Sequence, residues 1–129
     1  MRVLVIEDND MDVMVIDEVL KTCGMPMEVR VANDGEAALK CLNEFSPAVI
    51  LLDLNLPKVP GLEVLAEVRR RESAIPVVIV TSSDSGQDFE RAKILNATAY
   101  FCKPANLREF MNLAQIVRGV LEPPAGLAS

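Results

Sequence analysis

Glu7 and Asp8 stand side by side where the β-branched run Arg2–Ile6 stops, and a third acid, Asp53, ends the apolar run Val49-Ile50-Leu51-Leu52. Thr81 closes the run Val77–Val80, and Lys103 follows the short run Thr98–Phe101 and Cys102. A strand buried on both faces gains nothing in packing from a terminal acid, and in open α/β sheets ligands sit in the crevice beyond the strands' carboxyl ends. Carboxylates from neighbouring strands would repel one another there unless a cation shared the site. All-oxygen donors without Cys or His select a hard ion, and few protein ligands with room for water suit Mg²⁺. An ammonium and a hydroxyl beside them complete a place that can receive a phosphoryl group. Asp53 would be the nucleophile, Thr81 would bond a phosphoryl oxygen, and Mg²⁺ with Lys103 would neutralise the charge. Singly, each residue is an ordinary turn or cap residue. No packing argument needs all of them at the ends of adjacent strands.

The elements that would deliver them alternate strand and helix. Arg2–Ile6 leads through Glu7-Asp8-Asn9-Asp10 into a helix reaching Lys21, with Asp10 as its expected N-cap and Val15, Ile16 and Val19 on its inward stripe. Glu28–Ala32 is a second strand, Asn33-Asp34-Gly35 a turn, and Glu36–Phe45 a second helix ended by Pro47. After Asp53 the loop Leu56-Pro57-Lys58-Val59-Pro60-Gly61 enters a third helix, whose Arg69-Arg70-Arg71 suits a solvated C-terminus. Strand Val77–Val80, a helix over Gly86–Leu95, strand Thr98–Phe101 and one long helix over Ala105–Leu121 follow. Such a pattern predicts an α/β fold, a flavodoxin-like doubly wound five-stranded parallel sheet of order 2-1-3-4-5 with five helices. In that order the strands carrying Glu7-Asp8, Asp53, Thr81 and Lys103 are successive neighbours.

At 129 residues the chain has room for one domain. It carries a net charge of -6 and a sequence pI near 4.6, which disfavours a nucleic-acid partner. No apolar run approaches a membrane span and no signal peptide opens the sequence, so a cytoplasmic location is expected. Cys23, Cys41 and Cys102 are far apart and read as buried free thiols in a reducing compartment. The chain contains no histidine, which excludes Ser-His-Asp and Cys-His catalysis.

The set Glu7-Asp8, Asp53, Thr81, Tyr100 and Lys103-Pro104 resembles, over almost the whole chain, the receiver domain of bacterial two-component response regulators. The resemblance implies that Asp53 accepts a phosphoryl group from a histidine kinase. It implies that Asp8, Asp53 and the backbone carbonyl of Asn55 bind Mg²⁺, with Glu7 assisting through water. It further implies that Thr81 and Tyr100 are a switch pair and that the Lys103-Pro104 bond is cis. Many members of that family have Asp where this chain has Glu7. More narrowly, Leu52–Lys58 and Thr81-Ser82-Ser83 resemble stand-alone receivers that serve phytochrome-like kinases. The receiver would span 1–121 and a flexible tail 122–129. Such a protein catalyses no more than its own phosphorylation and dephosphorylation.

The main alternative is a Mg²⁺-dependent aspartyl-phosphate phosphatase of haloacid dehalogenase type, which has a second Asp two residues after the nucleophile. Here that position is Asn55, an amide that cannot take a proton from water at neutral pH, so an aspartyl phosphate would persist. A flavin module needs a glycine-rich phosphate cradle where this chain has Glu7-Asp8-Asn9-Asp10. Two partner surfaces are expected. Met11 and Met14 fall off the first helix's core stripe beside the acid pair and suit kinase docking. On the last helix, 100° per residue places Leu107, Phe110, Met111, Ala114, Val117 and Leu121 on the core face. Leu113, Ile116 and Val120 are left on an outer seam suited to a homodimer, unless the tail folds back to cover it with Leu127. A downstream protein target is implied as well.

Overall fold

The computed structural model describes residues 1–71 and 74–122. Five parallel strands, β1 (Arg2–Ile6), β2 (Glu28–Ala32), β3 (Val49–Leu52), β4 (Val77–Thr81) and β5 (Ala99–Cys102), form one sheet of order β2-β1-β3-β4-β5. That is the expected order. Every residue of β3 and β4 is buried, as unbroken apolar runs require when helices cover both faces of a sheet. On the edge strand β2, Glu28 and Arg30 are exposed instead.

Period-2 alternation sends the strand side chains into two cores. Val3, Val5, Val49, Leu51, Val78 and Val80 pack with Ile16, Val19 and Leu20 of α1 (Asp10–Lys21), Phe110 of α5 (Leu107–Phe110), and Leu113 and Val117 of α6 (Leu113–Leu121). On the other face, Leu4, Ile6, Ile50, Leu52, Val77 and Ile79 pack with Ala38 and Phe45 of α2 (Gly35–Phe45), Val64, Leu65 and Val68 of α3 (Gly61–Arg70), and Ala92 of α4 (Gly86–Ile94). Among the described residues, no helix is long and apolar enough to cross a membrane. Beyond Glu122 the expected tail, with Leu127, lies outside the described residues.

Several local expectations are corrected. Asn9, not Asp10, caps α1: its side chain accepts from the Asp12 N–H at 3.0 Å, and Asp10 already belongs to the helix. Asn and Asp are nearly equal as caps, so sequence alone does not choose between adjacent ones. Of the cysteines, Cys23 is buried, Cys41 half-buried and Cys102 exposed at the end of β5; all are free thiols. The arginine run does lie at the solvated end of α3, with Arg70 and Arg71 exposed, and it is engaged there as well. Arg70 and Arg71 pair with Glu67, and Arg69 donates to the carbonyls of Asn96 and Ile75.

The largest correction concerns the last helix, which tightens in its middle. The N–H groups of Asn112, Ala114 and Gln115 donate to the carbonyls of Glu109, Met111 and Asn112, three residues back rather than four. A 3₁₀ stretch turns about 120° per residue instead of about 100°, so the apolar face rotates across the joint. Leu113 consequently lies fully in the core, Ile116 and Val120 are half-buried against it, and Leu107 is 59% exposed. The seam expected from Leu113, Ile116 and Val120 therefore does not exist as an outer face.

Candidate functional site

Register brings the predicted side chains together. Ile6 pairs with Leu52, so Glu7 and Asp53, one step further along each strand, leave the sheet side by side. Thr81 pairs with Cys102, and the Lys103 N–H donates to the Thr81 carbonyl at 2.7 Å, which carries Lys103 over the same edge. Among the described residues, Glu7, Asp53 and Thr81 are the buried polar residues of the core, at 2%, 5% and 0% exposure; Asp8 is exposed.

Asp53 is held by backbone on both sides. Its N–H donates to the Ile6 carbonyl at 3.0 Å, and its Oδ1 accepts from the Asn55 N–H at 3.1 Å. The loop after it folds tightly back: the Gly61 N–H donates to the Leu54 carbonyl at 3.0 Å. A Cβ on Gly61 would lie 2.3 Å from the Asp53 carbonyl oxygen and 2.6 Å from Leu54 Cα, so only hydrogen fits. Lys58 in the same loop takes a left-handed φ of 67°.

The Lys103 ammonium is the electrostatic centre. Its Nζ lies 2.6 Å from Glu7 Oε1, 2.6 Å from Asp12 Oδ2 and 2.9 Å from Asp53 Oδ2. Burial opposes its charge, but the hydrogen bonds to Asp12, Glu7 and Asp53 outweigh it and hold its pKa above the ordinary lysine value. Glu7 also moves up, which for an acid disfavours the charged form. Burial pushes its carboxyl up to about 7, the Lys103 bond opposes this, and the Asp53 charge adds to it.

Oxygen atoms of Glu7, Asp8 and Asp53 all lie within 4.8 Å of one another, close enough to meet on one ion. Hard oxygen donors of this charge fit a divalent cation. Asn55 is exposed two residues past Asp53, and its N–H faces the Asp53 carboxylate.

Thr81 and Tyr100 are brought to the backbone of one residue, Ser83. Thr81 Oγ1 accepts from the Ser83 N–H at 3.3 Å, and the Tyr100 hydroxyl donates to the Ser83 carbonyl at 3.1 Å. The Tyr100 ring stands edge-to-face on Phe89, centroids 5.3 Å apart, and with Phe89, Ala92, Lys93, Ala97, Thr98 and Ala99 it lines a cavity of about 280 Å³. Lys103-Pro104 is not cis, since among the described residues no peptide bond is. Trans is the ordinary preference by about 0.5 to 1 kcal/mol, and Lys103 reaches all three carboxylates from it.

Two residues of the site escape sequence reasoning. Asp12 sits two positions into α1 and looks like a first-turn acid serving the helix dipole; the available signal was its place one helical turn after Asp8. Ser83 acts through its backbone, which residue type does not reveal.

Comparison with known proteins adds the family. The model of the response regulator receiver domain matches residues 3–115. The chain belongs to that family. This receiver is 37% identical over 122 residues to the response regulator Rcp1 of Synechocystis, an alignment covering 88% of the chain and 83% of Rcp1. It superposes on the crystal structure of Mn²⁺-bound Rcp1 with a TM-score of 0.85 at 35% identity, covering 96% of each chain. It superposes equally well, at 0.85 and 33% identity, on the phosphorylated cyanobacterial phytochrome response regulator RcpA, covering 95% of this chain and 94% of that one. A receiver is a phosphorelay signalling domain of two-component systems, and the Rcp1 structure it superposes on has Mn²⁺ bound.

Proposed function

We propose that this receiver takes a phosphoryl group onto Asp53 from a phosphohistidine of a phytochrome-type histidine kinase. The observation that carries the reading is a nearly buried carboxylate at the end of the central strand, bonded to Lys103 and set against Glu7 and Asp8. A carboxylate oxygen of Asp53 attacks phosphorus in line; the O–P bond forms as the P–N bond breaks, and the imidazole departs with the electron pair. Glu7, Asp8, Asp53 and the Asn55 carbonyl would hold Mg²⁺, Glu7 through water. When bound, Mg²⁺ would supply neutralising charge to the phosphoryl oxygens. Lys103 adds a fixed positive charge beside Asp53, and the backbone bonds of Asp53 keep its carboxylate oriented. Asn55 supplies no proton acceptor for an attacking water, so the phosphoryl group lasts long enough to signal, and turnover is confined to the receiver's own phosphorylation and hydrolysis.

The output follows from the Ser83 backbone. Once Asp53 is phosphorylated, the Thr81 hydroxyl donates to a phosphoryl oxygen and gives up the Ser83 N–H. Freed on that side, the Ser83 segment releases the Tyr100 hydroxyl, and the ring leaves Phe89 for the space Thr81 vacates. The surface of α4 and β5 changes for a downstream protein. Kinase docking falls to the exposed Met11 and Met14 beside the acid pair, at 70% and 65% exposure. The phytochrome link rests on RcpA, a phytochrome response regulator of similar sequence and fold. Tyr100 is the single tyrosine and there is no tryptophan, so its emission reports the switch without interference. Beryllofluoride with Mg²⁺ is expected to change that emission in wild type and not in Thr81→Ala. An unchanged wild type, or an equal change in both, would overturn the coupling.

A further inference from the structure

Asp12 has no part in the phosphoryl chemistry above, yet its contact with Lys103 matches that of Glu7 and is shorter than that of Asp53. An ammonium has three N–H donors, and here each goes to a different carboxylate. Two of those acceptors, Glu7 and Asp53, also belong to the cluster whose oxygens converge within 4.8 Å; Asp12 does not. The Asp12 backbone is anchored as well, because its N–H donates to the Asn9 side chain at the start of α1. We propose that Asp12 is a positioning residue that keeps Lys103 from competing with a divalent cation for Glu7 and Asp53.

The competition follows from burial. The Lys103 side chain is 8% exposed, so it cannot release Glu7 and Asp53 into water without leaving a charge nearly unpaired. Asp12, with its side chain 28% exposed, gives the ammonium a charged partner that a cation at the cluster does not need. Lys103 then yields oxygens to the cation while remaining bonded. Without the Asp12 charge, the ammonium's charged partners are the two carboxylates the cation also requires, and each is held harder against entry.

The inference rests on the Mg²⁺ reading of the cluster, and titration calorimetry with MgCl₂ separates the two. Wild type, Asp12→Asn, Lys103→Met and the double variant form a cycle. Loss of one charge-assisted hydrogen bond to the ammonium is expected to weaken Mg²⁺ binding about tenfold in Asp12→Asn. Acting through Lys103, the same substitution is expected to cost less than about twofold in Lys103→Met. Asp10→Asn removes an equal charge from the same turn of α1 and is expected to cost less than about threefold, since exposed charges are screened. Asp12→Glu, which restores the charge, is expected to bind Mg²⁺ better than Asp12→Asn. Wild-type affinity in Asp12→Asn would overturn the proposal. So would an equal loss with and without Lys103, an equal loss in Asp10→Asn, or failure of Asp12→Glu to recover affinity. A wild type that binds no Mg²⁺ would instead overturn the metal reading, and this inference with it.

Discussion

Gly61 touches none of the reacting atoms, yet Gly61→Ala is expected to impair both folding and phosphorylation. The added Cβ would lie 2.3 Å from the Asp53 carbonyl oxygen, and real Cβ contacts essentially never fall below 3.0 Å, so the backbone must open by at least the difference. Neither side of the contact is a flexible side chain: one is the start of α3, the other the Asp53 and Leu54 backbone. Asp53 is in turn tied to β1 through the Ile6 carbonyl, so the displacement falls on the residue that places the nucleophile. Overpacking of this kind costs about 1–3 kcal/mol. A misplacement approaching 1 Å lowers a positioned reaction by up to about 10²-fold, so a loss of roughly 10- to 100-fold in the rate of labelling by acetyl phosphate is expected. Urea denaturation gives the stability and timed intact-mass spectra give the rate. Gly119→Ala is the control: beyond the local backbone of α6 no atom lies within 4 Å of its Cβ, and in the interior of α6 the change is expected to stabilise by up to about 1 kcal/mol with the rate unchanged. If Gly61→Ala matched wild type in both measurements, the claim that the tight loop positions Asp53 would fail.

The tightened last helix makes a paired prediction. Leu113→Ala is expected to cost about 2–5 kcal/mol in urea denaturation, because the side chain is fully buried. Leu107→Ala, at 59% exposure, is expected to stay within about 0.5 kcal/mol, and the reverse ranking would restore one regular helix. Phenolate absorbance of Tyr100 is expected to appear with a midpoint above the ordinary tyrosine value near 10, because burial disfavours the anion and the charges of Asp88, Cys102 and Asp53 add to this. The fold then holds the phenol proton more tightly than the unfolded chain does. That contribution to stability is whole below the unfolded pKa and is lost as pH rises through the folded one, so a midpoint at or below 10 would contradict the burial.

Sheet order and the site's main residues were legible because they rest on short-range patterns. Unbroken apolar runs gave β3 and β4, and a polar group ending each central strand gave Asp53 and Thr81. Parallel pairing then did the assembling, since Ile6 against Leu52 and Thr81 against Cys102 leave no freedom in where Glu7 and Lys103 arrive. What escaped was set by hydrogen bonds that residue type does not encode. A helix wheel assumes constant pitch, and three i→i−3 bonds at the joint were enough to exchange Leu107 and Leu113 between surface and core. By residue type Asp12 is an ordinary first-turn acid of α1, and its role comes from Lys103, which reaches it from just past β5, 91 residues away in sequence. The Lys103-Pro104 bond, taken as cis from the family resemblance, is not cis here.

Asp53 as the phosphoacceptor is tested most directly by intact mass after incubation with acetyl phosphate and MgCl₂. One added phosphoryl group is expected in wild type, and none in Asp53→Asn or in wild type with EDTA. Labelling of Asp53→Asn to the wild-type level would contradict the assignment.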